Sequence, residues 1–131
     1  MPKIINIEPH LVKKRRFGVF CKQDDGAVIY MAFRKHNDIF TSGKGGKISI
    51  ALRAGEAYWA IDYSTLTLAR LKGVKVVAVK LRDTGDLYLT RLENFFNTAL
   101  ARSINYSTRG GSMQRCLNVK QFTVIRPSIS L

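Results

Sequence analysis

The stretch Phe17-Gly18-Val19-Phe20-Cys21-Lys22-Gln23-Asp24-Asp25-Gly26-Ala27-Val28-Ile29-Tyr30-Met31-Ala32-Phe33 decides the fold. Phe17 to Cys21 alternates as a half-buried strand does. Gln23-Asp24-Asp25-Gly26 is a turn, because Asp-Gly supplies the positive φ angles of a tight hairpin. Ala27 to Phe33 is the apolar returning strand. A hairpin this early sets the expectation of an antiparallel sheet.

Upstream, residues 4 to 22 read as extended structure, with Pro9 marking a break or a sheet edge. Downstream, Ile48, Ala51, Leu52, Gly55, Tyr58 and Trp59 recur at spacings of three and four, which predicts an amphipathic helix. Asp62-Tyr63-Ser64-Thr65 offers cap residues for a second helix through Leu71, with Gly73 placed to end it. Val74 to Leu81 is a strand. Asp83-Thr84-Gly85-Asp86 is a turn, and Leu87 to Thr90 pairs back as a second hairpin. Leu92 to Leu100 reads as a short helix with Phe95 and Phe96 inward. Residues 102–115 read as loop, and Cys116 to Ile125 as a final strand. The expected fold is α+β: a mainly antiparallel sheet of five or six strands, with two or three short helices on one face, those of 48–72 among them. Neither a repeat nor a linker divides residues 1–131, so one basic domain is expected.

The chain has 131 residues, 46% of them apolar, enough for a core. Its 22 Lys and Arg against 9 Asp and Glu give a net charge of +13. Such a field raises the local concentration of anions and points to a polyanionic partner, DNA or RNA. No apolar run is long enough to span a membrane, and Met1 to Asn6 turns polar too early for a secretory signal, so a cytoplasmic protein without membrane attachment is expected. Cys21 and Cys116 are far apart and match no disulfide framework or zinc finger, which predicts buried free thiols and no metal.

The basic residues fall into four clusters. Lys13, Lys14, Arg15 and Arg16 precede Phe17, and Arg34 and Lys35 follow Phe33. Lys44 and Lys47 lie in the glycine-rich segment Thr41 to Lys47, while Arg102, Arg109 and Arg115 bracket Tyr106. Basic clusters interleaved with aromatics neutralise phosphates and stack bases; Tyr106 is the expected stacking residue. The glycine-rich segment is not a P-loop, since Ile48 follows Gly46-Lys47 and Thr41 stands where a glycine is required. These residues read as a nucleic-acid-binding protein that holds the phosphate backbone and has no sequence-reading motif. An adaptor for an acidic protein is the remaining non-enzymatic reading.

Phosphodiester hydrolysis would need clustered carboxylates around a divalent cation. With the turn acids set aside, His36, Asp38, Glu56 and Asp62 are the candidates. The order helix, strand Val74–Leu81, strand Leu87–Thr90, then Leu92-Glu93-Asn94-Phe95-Phe96 resembles the second half of the PD-(D/E)XK nucleases, such as Holliday-junction resolvases, over about a third of the chain. The resemblance implies a nuclease using Mg²⁺ or Mn²⁺. The first hairpin carries Asp25, but Phe33-Arg34-Lys35 stands where that family has an acid, any residue, then Lys. The implied site is therefore degenerate, and the enzyme is the alternative reading.

Overall fold

The computed structural model describes residues 3–12, 15–36, 39–41, 57–98, 101–105 and 111–127. The leading hairpin forms as expected. Strands β1 (Ile4–Val12), β2 (Arg15–Gln23) and β3 (Val28–Arg34) make an antiparallel meander, and Gly26 in the β2–β3 turn has φ 89°. Pro9 sits in β1, which is an edge strand and needs no donor on its open side. Then come β4 (Phe40–Thr41), β5 (Ala57–Asp62), α1 (Tyr63–Leu71), β6 (Val74–Leu81), β7 (Leu87–Arg91) and α2 (Leu92–Asn97). The chain closes with β8 (Ala101–Asn105), β9 (Gly111–Asn118), a 3₁₀ turn at Val119–Gln121 and β10 (Thr123–Ile125).

These strands form two sheets. A six-stranded sheet has the order β1-β2-β3-β6-β7-β10, and a four-stranded sheet has the order β4-β5-β9-β8. Every pairing is antiparallel except β3 with β6, which run parallel, with Tyr30 opposite Val77 and Ala32 opposite Val79. The class is therefore α+β with a mixed, mostly antiparallel six-stranded sheet.

Four details of the sequence reading are corrected. The helix expected from Ile48 through Trp59 fails at its end, because residues 57–62 are strand β5; residues 48–56 lie outside the described residues. Residues 58–62 are all buried, so β5 reads as an unbroken apolar run and lacks the alternation of a half-exposed strand. The segment 102–115 contains most of the β8–β9 hairpin where loop was expected. The final strand is split by the 3₁₀ turn. Among the described residues there are two α-helices, and α2 has only six residues. They do not cap one face of a single sheet: α1 packs against β5, β9 and β6, and α2 against β6, β7 and β9, so both helices touch both sheets.

One core cluster draws on both sheets and both helices: Phe20, Tyr30, Val77, Val79 and Leu81 from the large sheet, Trp59, Ile61 and Leu117 from the small one, and Leu66, Ala69 and Phe95 from the helices. Trp59 meets Tyr88 edge-on at 5.5 Å, joining the sheets directly. Cys21 and Cys116 are buried and in no disulfide, and burial pushes the Cys21 thiol pKa up. No described helix is long and apolar enough to cross a membrane.

Candidate nucleic-acid interface

Helix α1 buries Thr65, Leu66 and Ala69. Tyr63 and Arg70, seven residues apart, lie nearly two turns along the other side, about 10 Å from one another. Helix α2 turns Leu92 and Phe95 inward. Phe96, the next residue, is rotated about 100° from Phe95; it packs half-buried against the edge of the core and also reaches Tyr63 and Arg70 of α1. The Arg70 guanidinium lies over the Phe96 ring, 3.5 Å from its centroid. Phe96 meets Tyr63 edge-on at 6.0 Å. Arg115 of β9 lies over Tyr63 at 5.3 Å and donates from Nη1 to the Thr98 carbonyl at 3.0 Å, which fixes its position.

The result is a ladder of two rings in contact with an arginine at each end: Arg70, Phe96, Tyr63, Arg115. Each end opens on a concavity. Beside Arg70 and Phe96 is a cleft of about 380 Å³ that also takes in Lys75 and Arg91. Beside Tyr63 and Arg115 is a smaller one of about 240 Å³, lined also by Ala101 and Met113. Among the described residues no carboxylate pairs with Arg70 or Lys75. Arg91 pairs with Glu93 at 3.2 Å, but both side chains are mostly exposed, so the pair is weak and exchangeable. The ladder is thus positively charged, with Tyr63 exposed upon it.

The clusters expected from sequence are distributed differently. Lys13, Lys14, Lys44, Lys47, Tyr106 and Arg109 lie outside the described residues. Arg34 and Lys35 end β3, where Arg34 is half-buried, donates to the Phe33 carbonyl at 2.8 Å and accepts at its own carbonyl from the Arg82 amide. Strand register brings the backbone of Arg15 and Arg16 to this same end of the large sheet, since Gly18 faces Ala32. Arg102 lies in β8 opposite Gln114. Of the residues singled out from sequence, only Arg115 belongs to the ladder. Lys75 and Arg82 mark opposite ends of β6, about 20 Å apart, so the ladder and the Arg34–Lys35 end are separate basic centres.

The nuclease candidates do not assemble in the described region. Asp38 and Glu56 lie outside it. The His36 amide donates to both Asp83 carboxylate oxygens at 3.2 Å, which makes His36 part of a turn. Asp62 is buried and accepts from Gln114 Nε2 at 2.8 Å. Among the described residues no three His, Cys, Asp or Glu side chains are grouped to hold a metal ion.

Sequence reasoning passed over Phe96 and Tyr63 because each had a local explanation, core packing and helix cap, and it gave Arg70 no site role. Two signals were available. The spacing of seven puts Tyr63 and Arg70 on one side of α1, and adjacent phenylalanines on a short helix, about 100° apart, cannot sit equally deep: Phe95 is fully buried and Phe96 packs half-buried at the edge of the core. No family model matches the chain, nor does any curated protein or solved structure compared with it.

Proposed function

We propose that this protein binds nucleic acid, contacting the phosphate backbone through lysine and arginine without reading sequence. The observation that carries the proposal is the Arg70–Phe96–Tyr63–Arg115 ladder with Lys75 and Arg91 in the adjoining cleft, on a chain of net charge +13. Convergent cations, with Glu93 as the one carboxylate lining their cleft among the described residues, repel one another, and a polyanion relieves that repulsion while releasing its own counterions. The Arg34–Lys35 end of the sheet supplies a second basic surface to which a longer strand can extend.

Binding should be strongly salt-dependent. Labelled oligonucleotides titrated by fluorescence anisotropy should lose well over tenfold in affinity between about 50 and 200 mM salt, as counterion release requires. Charge reversal by Arg70→Glu with Lys75→Glu should reduce both the affinity and the salt slope. Arg34→Glu with Lys35→Glu should do so less. An affinity indifferent to salt would remove the proposal.

A further inference from the structure

Resting on the reading above, we infer that the ladder takes single-stranded nucleic acid, with unpaired bases stacking on Tyr63 and the Arg70–Phe96 pair while Lys75, Arg91 and Arg115 neutralise phosphates. Phosphate attraction alone does not require aromatic rings. Three of the cations meet those rings or adjoin them: Arg70 over Phe96, Arg115 over Tyr63, and Arg91 across the cleft from Phe96. A ring or a flat guanidinium offers a π-face that any base can use, which makes such platforms tolerant of sequence. In a duplex the base faces are already stacked on one another and closed to the protein.

The shape argues the same way. Readers of duplex DNA insert a protruding helix or two-stranded ribbon into a groove about 12 Å wide. Neither helix here protrudes: α1 is anchored by Leu66 and Ala69 and α2 by Phe95, all fully buried. The site consists of two concavities, of about 380 and 240 Å³, bridged by the Phe96–Tyr63 contact. The larger falls in the range of pockets that enclose a small molecule, so it suits one nucleotide with its phosphate. The arginines are already oriented over the rings, so less side-chain freedom is lost when a base arrives. Glu93 pairs with Arg91 at the rim, but the pair is exposed and weak, so a phosphate can displace it.

The test uses the full chain and four labelled probes of equal length, about twelve residues, within the site sizes of single-strand binders. They are mixed-sequence single-stranded DNA, the same RNA, the DNA duplex, and an abasic deoxyribose-phosphate strand. The expected result is that one or both base-bearing single strands bind about tenfold or more tighter than the duplex and the abasic strand. Tyr63→Leu should weaken the base-bearing strand roughly 5- to 150-fold, the span of a lost base stack. It should weaken abasic binding far less, and Tyr63→Phe should restore the wild-type value. Tyr63 is 42% exposed, so these variants keep the fold, which circular dichroism checks. Equal binding of abasic, duplex and base-bearing strands, unaffected by Tyr63→Leu, would overturn the inference and leave the phosphate-binding proposal standing. Absence of binding to every probe at low salt would remove both.

Discussion

Gly18 of β2 sits where the sheet has no room for a side chain. A Cβ there would fall 2.7 Å from the Tyr30 hydroxyl and nearer still to the Met31 carbonyl oxygen. Both belong to β3, the paired strand, and the carbonyl cannot move without breaking the ladder. Gly18→Ala should destabilise the protein by about 1–3 kcal/mol through overpacking, read as a lower urea midpoint at unchanged slope. His10 faces the same region. Its Nε2 is 2.9 Å from the Thr65 hydroxyl, and its ring meets Phe20 and Tyr30 edge-on. Burial holds its pKa below the ordinary 6.5, against the attraction of Asp62 and with a further push from Lys72. As pH falls through about 6.5 the unfolded chain takes up a proton before the folded one does, so this contribution to stability is complete above that pH and is lost below it. The urea midpoint should therefore fall between about pH 7.5 and pH 5.5, and His10→Gln should lose less over that interval; an identical loss would assign the effect to other groups.

At the scale of elements, the junction of β5 with α1 carries the most polar burial. Asp62 occupies the N-cap position of α1, the place its residue type suits, yet its side chain makes no capping bond. It turns instead to Gln114 of β9, and both are buried. Gln114 Oε1 has no hydrogen-bond partner among the described residues, so this amide is held chiefly for what its nitrogen donates. Gln114→Leu should cost about 1–3 kcal/mol, since it withdraws a donor from a buried carboxylate without altering bulk much; a calorimetric Tm measures the loss. Elements with a local signature were legible in the sequence: the Asp25-Gly26 hairpin, the strand Val74–Leu81, the helix ending before Gly73. Strand β5 was not, because Trp59 and Ile61 join the main core while Tyr58 and Ala60 join a separate cluster with Cys116. Burial on both faces erases the alternation that identifies a strand.

For the molecule as a whole, the net charge was readable at once and its arrangement was not. Arg70 comes from α1, Phe96 from α2 and Arg115 from β9, and only the packing of both helices against both sheets brings them together. One short window, helix α1, holds two of its four members, Tyr63 and Arg70; Phe96 and Arg115 lie more than twenty-five residues further on. The sheet that makes this possible turns on its single parallel pairing, β3 beside β6. The hairpins on either side of it close over a few residues, whereas joining β3 to β6 must first confine the whole of residues 35–73, and closure entropy rises with the length confined. Within the large sheet this is the longest closure, and the barrier to forming that sheet should thus lie at the encounter. Val77, fully buried and opposite Tyr30, reports on it. Val77→Ala should slow refolding by most of its equilibrium effect and leave the unfolding rate nearly unchanged in stopped-flow chevrons. A chain assembled in this order commits late: its hairpins can form and dissolve many times before the seam between β3 and β6 closes, and the ladder comes into being only after that seam holds.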